Sequence, residues 1–287
     1  MATTLGNRAV STGSNAHSDM LRRLLAKDRT LVMGVVNVTP DSFSDGGRFL
    51  DPQAAITQAR RLTAEGADIL DIGAESTRPY GGAVRVSDDE ERARLLPVLP
   101  KVIGLGRPVS IDTMKAAIAA SAIDLGAAMV NDVWGLQRDP DMARVVAERG
   151  VPVILMHNRE AADASIDIVA DVTAFFERSL DIAARAGIPR ERIVLDPGIG
   201  FGKTPEQSII CIGRLSAFRS FGLPLLVGAS RKRFIHTIMP SEPMERLGGS
   251  LAANLVAVEN GAAIVRVHDV APTVQALAVA AAIRQAR

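Results

Sequence analysis

Polar side chains recur along this chain at the points where apolar segments end. They are Asn37, Glu75, Asp112, Asn131, Asp132, His157, Asp196, Lys232, Arg266, His268 and Asp269. Apolar strands have no structural need for so many ionisable ends, whereas a shared site would use them. The alternative, scattered caps and ion pairs, explains one or two such residues. The series therefore predicts that distant segments deliver these side chains to one site.

Three of these residues, Lys232, Arg266 and His268, are cationic or can become so, and all lie in the last quarter of the chain. Arg266 and His268 are two apart on a predicted strand, so their side chains leave the same face. Arginine offers a planar fork to phosphate oxygens, and lysine offers a point charge. The small residues of Gly228–Ser230 let the backbone approach an anion ahead of a helix start. This group predicts a diphosphate site.

Asp112, Asn131 and Asp196 supply acceptors and amide donors instead of positive charge. Such groups in a dry pocket suit a flat heterocycle that carries an amino group and ring N–H groups. A catalytic triad is not indicated, because no serine elbow occurs and neither histidine has a nucleophilic partner. His157 is interpreted as a structural histidine.

Apolar runs of strand length alternate with alanine-rich helical stretches eight times after residue 30. The runs are Leu31–Val38, Ala67–Gly73, Pro108–Asp112, Ala127–Val133, Pro152–His157, Ile193–Pro197, Leu223–Ser230 and Ala262–Asp269. Continuous apolarity is typical of parallel strands covered on both faces. Eight units without a linker predict an α/β fold, a single (β/α)₈ TIM barrel over residues 31–287, with residues 1–30 as a flexible extension. An open doubly wound sheet is the alternative, but no G-x-G-x-x-G motif follows the first run.

Local signals predict where helices begin. They are Ser87 with Glu90, Thr204 with Gln207, Asp51-Pro52 and Asp139-Pro140, and a short amphipathic helix is predicted near Leu21–Lys27. In TIM barrels the functional side chains come from the carboxyl ends of the strands, and phosphate is often bound beside strands seven and eight. The three cations come from those two strands.

The composition argues against several classes of protein. Among 287 residues, 33 lysines and arginines face 32 acids, so no global field recruits nucleic acid or a membrane. Only 3% of residues are aromatic, which disfavours a base-stacking platform. A single cysteine, Cys211, excludes an intrachain disulfide and fits a reducing compartment. No segment reads as a signal peptide or a bilayer span, so a cytoplasmic protein is predicted, with an organelle transit peptide as the alternative for the first 30 residues.

Several segments together resemble the dihydropteroate synthase family. They are Asn37–Gly47, Glu75–Pro79, Ile111–Thr113, Asn131–Val133, Met156–His157, Asp196–Thr204, Gly228–Phe234 and Arg266–Asp269. They follow the family's order from about Val32 to the C-terminus. The resemblance implies a Mg²⁺-dependent reaction of folate biosynthesis, in which a pterin diphosphate and 4-aminobenzoate give 7,8-dihydropteroate and pyrophosphate. It also implies early cleavage of the bond to diphosphate, with no need for a strong general base.

The resemblance assigns roles to residues by position. The pterin would be held by Asp112, Asn131, Met156, Asp196 and Lys232. The diphosphate would be held by Asn37, Thr77, Arg266 and His268, with Asn37 also binding Mg²⁺. The 4-aminobenzoate side would be formed by Phe43, Thr77, Arg78, Pro79, Phe201 and Ser230. The residues taken as catalytic are Asp112, Lys232, Arg266 and His268.

Two polar, glycine-containing loops, at 39–47 and 76–82, are predicted to be lids that order over substrate. The second is about two residues longer than expected of the family and carries Tyr80, and Gln207-Ser208 replaces a frequent His-Asn pair. These departures lie near the 4-aminobenzoate end, so the sequence predicts altered specificity there, including sulfonamide insensitivity. Ordinary length variation in a surface loop is the alternative.

Two other functions share part of this pattern. A methyltetrahydrofolate:corrinoid methyltransferase would keep the pterin-reading acids but would not need the cationic group. A non-catalytic binding barrel would show loss of site residues, and Asn37, Asp112 and Lys232 are all present. The last helix, predicted at Val274–Ile283, is apolar on nearly every side, which predicts a homodimer.

Overall fold

Eight parallel strands close into a barrel in this computed structural model, which describes residues 12–38, 52–75 and 86–286. The strands are β1 Leu31–Asn37, β2 Ile69–Gly73, β3 Val109–Asp112, β4 Met129–Asp132, β5 Val153–Met156, β6 Ile193–Asp196, β7 Leu225–Val227 and β8 Ala262–Val267. Each strand pairs with its neighbours in chain order, and β1 also pairs with β8. The predicted (β/α)₈ barrel is confirmed, and the open sheet is excluded.

Helices separate the strands and cover the barrel. They are α1 Thr12–Leu25, α2 Pro52–Ala64, α3 Asp88–Leu95, α4 Leu99–Ile103, α5 Ala116–Asp124, α6 Met142–Arg149, α7 Ile168–Ala186, α8 Pro205–Gly213, α9 Arg233–Ile238, α10 Leu247–Glu259 and α11 Val270–Gln285. Helix α2 shows how they attach, because its buried residues Ala55, Ile56, Ala59 and Leu62 form one stripe at helical spacing. None of the helices in the described ranges has both the length and the apolarity needed to cross a bilayer.

Alternate residues of the strands divide the core into two parts, because successive side chains of a strand point to opposite faces. In β1, Val32 and Val36 belong to the larger cluster, which the helices complete, whereas Leu31 and Met33 belong to a second one. The second cluster, here called the floor, comprises Leu21, Leu24, Leu31, Met33, Ile69, Met129, Ile154, Val194, Leu226 and Ile264. Seven of the eight strands contribute to the floor, so it fills the barrel interior.

Helix α1 is longer than the helix predicted near Leu21–Lys27, and it joins the barrel. Its residues Leu21 and Leu24 are buried in the floor. Just beyond it, Lys27 and Arg29 bind the buried carboxylate of Asp68 at 2.7 Å each, and the amide of Val32 donates to the same carboxylate at 3.0 Å. These contacts attach the chain before β1 to the start of β2. A domain boundary at residue 31 remains a prediction.

Most predicted helix starts agree with the structure. Ser87 accepts a hydrogen bond from the amide of Glu90, and Thr204 forms a complete capping box with Gln207. Helix α2 begins at Pro52 as predicted, although Asp51 lies outside the described residues. The prediction from Asp139-Pro140 was wrong by two residues, since α6 begins at Met142. The Asp139 carboxylate instead accepts from the amide of Ala116, at the start of α5.

Candidate active site

The barrel interior becomes polar directly above the floor, toward the carboxyl ends of the strands. Two residues after Ile69, Met129, Val194 and Ile264 come Asp71, Asn131, Asp196 and Arg266, respectively. Residues two apart on a strand share a face, so these side chains form the next interior layer. Asp112 pairs with Asn131 in the register of β3 and β4 and joins them. The structure thus brings four residues predicted from the sequence together, and adds Asp71.

Asp71 is the hub of this polar layer. Its Oδ2 accepts from Arg266 Nε at 2.6 Å and from Asn131 Nδ2 at 3.1 Å, and the side chain is fully buried. Arg266 Nη2 donates to Asp112 Oδ2 at 2.8 Å. Sequence reasoning missed Asp71 because it searched strand ends, and Asp71 lies inside β2. The available signal was an acid in an otherwise apolar strand, at the same inward parity as Ile69.

Three buried oxygens of this layer have no hydrogen-bond partner within the described ranges. They are Asp71 Oδ1, Asp112 Oδ1 and Asn131 Oδ1. An unsatisfied buried acceptor costs about 1–3 kcal/mol, so three together are expensive unless a ligand or water donates to them. A flat molecule with several N–H groups would satisfy them.

Three groups of the site have pKa values shifted toward neutrality. Burial raises the pKa of Asp112 to about 7, opposed by Arg266 and reinforced by Asp71. Burial also raises the pKa of Asp196 to about 6, opposed by the Gly198 amide, which donates to its Oδ1 at 2.7 Å. Desolvation, together with Arg266, lowers the pKa of Lys232 to about 7. Clustered shifts of this kind are characteristic of functional sites.

The segment between β7 and α9 supplies the cationic side of the site. Lys232 Nζ lies 4.0 Å from the centroid of the Phe201 ring, a cation–π contact. Ser230 Oγ lies 3.1 Å from His268 Nδ1, which joins the ends of β7 and β8. Between Ser230 and Lys232, Arg231 has a φ of 60° and forms a bidentate ion pair with Asp269. The ion pair holds the backbone that presents Ser230 and Lys232.

Only part of the Arg266 guanidinium group is available to a diphosphate. Its Nε and Nη2 are bound to Asp71 and Asp112, while Nη1 has no hydrogen-bond partner in the part of the chain that the structure describes. Two of the three guanidinium nitrogens of Arg266 are therefore already bound to carboxylates of the protein. Met156 is buried at the end of β5, where it pairs in register with Asp196.

His157 has the structural role predicted from the sequence. It is fully buried, and its Nε2 lies 2.9 Å from Asp171 Oδ2. Its Nδ1 lies 2.6 Å from Nζ of Lys203, a buried lysine of the β6–α8 loop. The ring is thus held between two protein partners, with no nucleophile beside it among these contacts.

A family model described as pterin binding enzyme matches residues 33–268. The chain belongs to the pterin-binding enzyme family. It is similar to a dihydropteroate synthase of Bacillus subtilis, 45% identical over 245 residues, which are 85% of each chain. It is also similar to the dihydropteroate synthase of Xanthomonas albilineans. The structure of that protein with 4-aminobenzoic acid has a TM-score of 0.85 and 44% identity, and the one with 7,8-dihydropteroate has 0.82 and 42%. In both cases 90% of this chain and 94% of the other is covered.

Four residues that the resemblance assigned to this pterin-binding enzyme's second substrate lie outside the described residues. They are Phe43, Thr77, Arg78 and Pro79, together with both predicted lid loops and Tyr80. Of the remaining members of that set, Phe201 contacts Lys232 through its ring, and Ser230 lies two residues before Lys232 in the chain.

Asn37 ends β1 on the side of the barrel where the polar layer lies. The side chain is partly exposed, and its amide makes no hydrogen bond to the described residues. Nor do these residues contain a group of three or more histidines, cysteines, aspartates or glutamates that could enclose a metal. Mg²⁺ prefers oxygen ligands and is usually bound by one or two protein groups plus water and substrate phosphate. Asn37 fits that donor set.

Proposed function

We propose that this chain catalyses the dihydropteroate synthase reaction. In that reaction the bond between the pterin methylene carbon and the diphosphate oxygen breaks, and its electron pair leaves with pyrophosphate. The amine nitrogen of 4-aminobenzoate then bonds to the methylene carbon and loses a proton. The observation that carries the proposal is the buried polar layer, whose three unpartnered acceptors lie next to Arg266 and Lys232.

The pterin ring is assigned to the layer of Asp112, Asn131 and Asp196. Its amino and ring N–H groups would donate to the oxygens that lack partners, and Asp196 would accept further bonds as a buried carboxylate. Met156, in register with Asp196, supplies an apolar surface for the ring. The match is chemical, because a ligand with fewer donors would leave buried oxygens unsatisfied.

The diphosphate is assigned to the cationic side of the site. Arg266 Nη1 and Lys232 would neutralise the negative charge that develops as the leaving group departs, and His268, which contacts Ser230, would add to them. Asn37 would hold Mg²⁺ together with phosphate oxygens and water. When bound, Mg²⁺ supplies positive charge that stabilises the leaving group.

The 4-aminobenzoate is assigned to the side of Phe201 and Ser230, with Phe43, Thr77, Arg78 and Pro79 proposed to complete it. The aromatic amine attacks an electron-poor carbon, so the protein needs to align it and exclude water rather than deprotonate it. No strong base is required.

Pyrophosphate release tests the proposal. The purified protein should release pyrophosphate from the pterin diphosphate only when 4-aminobenzoate and Mg²⁺ are both present, with 7,8-dihydropteroate formed in equal amount. A folded protein that binds the pterin but forms no 7,8-dihydropteroate contradicts the proposal. Methyl transfer from methyltetrahydrofolate to a corrinoid would favour the competing function.

We further propose that the protein acts as a homodimer in a reducing, cytoplasmic compartment. Helix α11 exposes Val279 and Ile283, each 55% accessible, and the adjoining α10 exposes Val256. Apolar side chains on packed neighbouring helices favour contact with a second copy. Cys211 is buried, and burial raises the pKa of its thiol to about 11, which agrees with an unreactive packing residue.

A further inference from the structure

Lys203, in the loop between β6 and α8, is fully buried and has no part in the chemistry above. Its Nζ lies 2.6 Å from His157 Nδ1, and donates to the carbonyl oxygens of Gly198 at 3.0 Å and Phe201 at 3.1 Å. A buried ammonium is stable only when its hydrogens meet acceptors. Two of these acceptors belong to its own loop, so the loop is folded around this one charge.

The third acceptor connects the loop to the rest of the barrel. An ammonium can only donate, so His157 Nδ1 accepts, and Nε2 carries the ring hydrogen toward Asp171 Oδ2 at 2.9 Å. Burial, together with the positive charges of Lys203 and Arg159, lowers the pKa of His157 to about 2, so the ring stays neutral. A chain of contacts thus runs from α7, through the end of β5, to the loop.

The loop also lies directly against β5 and the segment after it. Gly198 has a φ of +67°, and a Cβ there would lie 2.0 Å from the carbonyl oxygen of His157. Gly202 has a φ of +53°, and a Cβ there would lie 2.4 Å from Cβ of Arg159. Only glycine allows this backbone and this approach. The two glycines therefore hold the loop in one conformation, packed closely against the segment after β5, and Lys203 binds two carbonyl oxygens of this loop.

Phe201 connects the contacts of Lys203 to the active site. Its carbonyl oxygen is bound by Lys203, and its ring lies 4.0 Å from Lys232 Nζ. We propose that Lys203, with His157 and Asp171, is a positioning residue that sets Phe201 as a wall of the 4-aminobenzoate site. The inference rests on the proposed function and extends it to a residue that touches neither substrate.

The variant Lys203→Met tests this, because it keeps an unbranched side chain only one atom shorter and removes the charge and the donors. The KM for 4-aminobenzoate should rise by about tenfold or more, while the Kd for a pterin ligand changes by less than about twofold. Lys101→Met makes the same chemical change at an exposed position in α4 and should alter neither quantity. Thermal unfolding of each variant reports any loss of folded protein.

A purely structural role would lower activity in proportion to the folded fraction, or raise both constants equally, and either result overturns the inference. Should Lys203→Met fail to fold, the milder variant Asp171→Asn decides, because Asp171 lies at the exposed end of the contact chain, 33% accessible. It should raise the KM for 4-aminobenzoate alone by about two- to fivefold, and an unchanged KM contradicts the inference. Nitrogen NMR of the wild-type protein should find the hydrogen of His157 on Nε2, and finding it on Nδ1 excludes the contact with Lys203. A wild-type protein without synthase activity would instead refute the proposed function.

Discussion

Asp196 illustrates at the scale of one residue how burial limits the pH range of a site. Its carboxyl group accepts hydrogen bonds at both oxygens, and most strongly, when it is ionised, and burial raises its pKa to about 6. Pterin affinity should therefore increase as the pH rises through about 6. Above pH 6, two further titrations near pH 7 should change the pterin affinity in opposite directions. They are the ionisation of Asp112 and the deprotonation of Lys232. Calorimetric titration between pH 5 and 8 measures this profile.

The variant Asp196→Asn is the matched test of that assignment. It keeps the size of the side chain but no longer ionises, so the change in pterin affinity near pH 6 should disappear, while the opposing effects of Asp112 and Lys232 near pH 7 remain. The kcat/KM for the pterin diphosphate should fall by about 10² at pH 7, because a charge-assisted bond in a desolvated pocket is lost. A variant that keeps the acidic limb would assign it to another group.

Asp71 provides a second prediction at this scale. In Asp71→Asn the negative charge that holds Arg266 is removed, although an oxygen acceptor remains. Arg266 and Asn131 should be held less firmly, and kcat/KM for the pterin diphosphate should fall by about tenfold or more. Asp181→Asn, an exposed change on α7, is the control for the effect of charge alone. Equal kinetics in the two variants would remove Asp71 from the site.

At the scale of elements, the attachment of α1 to the barrel should contribute to stability. Burial alone would raise the pKa of Asp68, but hydrogen bonds from Arg29, Lys27 and the Val32 amide outweigh it, and the pKa is lowered. A carboxyl with a lowered folded pKa stabilises the protein above its unfolded pKa near 3.8. That contribution is lost as the pH falls through the lower, folded value.

Asp68→Asn should lower the free energy of unfolding at pH 7 by about 1–2 kcal/mol, a modest value because Lys27 and Arg29 are partly exposed. Urea unfolding at pH 7 and at successively lower pH measures it, and the difference from wild type should shrink only in acid. Asp124→Asn removes an exposed pair with Arg149 and should cost less than about 0.5 kcal/mol. Equal effects of the two changes would show that α1 is not anchored through Asp68.

The loop after β2 gives another prediction about an element, drawn from the sequence because residues 76–85 lie outside the described residues. Its extra length and Tyr80 should crowd the space where a sulfonamide extends beyond the carboxylate end of 4-aminobenzoate. The inhibition constant of sulfamethoxazole should therefore exceed the KM for 4-aminobenzoate, and Tyr80→Gly should lower it. A drug that binds as tightly as substrate rejects this prediction.

The barrel could be predicted from the sequence because each β/α unit has a local pattern, an apolar run followed by a helical stretch. Residues that act through distant contacts could not. Asp71 is recognised by Arg266, 195 positions away, and nothing near it in the sequence indicates that pairing. Lys203 follows a glycine-rich motif and resembles an exposed loop lysine until His157 is placed beside it. The length of α1 was underestimated because its apolar partners are the floor residues of the barrel.

At the scale of the whole molecule, the exposed apolar residues of α10 and α11 should mediate dimer formation. Light scattering should give twice the mass of one chain, and the double change Val279→Asp with Ile283→Asp should give a monomer, because charge at a desolvated interface is unfavourable. Leu125→Asp, at an exposed position after α5, is the control and should remain dimeric. A wild-type monomer would contradict the prediction directly.

The floor of the barrel also has a consequence for the order of events during synthesis. Helix α1 leaves the ribosome before any of the barrel strands, yet Leu21 and Leu24 pack in a cluster that includes Leu226 of β7 and Ile264 of β8. β1 likewise waits for β8 to close the barrel. Early domains often fold while the remainder is still being translated. Here the binding surface for α1 is complete only after β8 has been made, so Leu21 and Leu24 lack their packing partners until then.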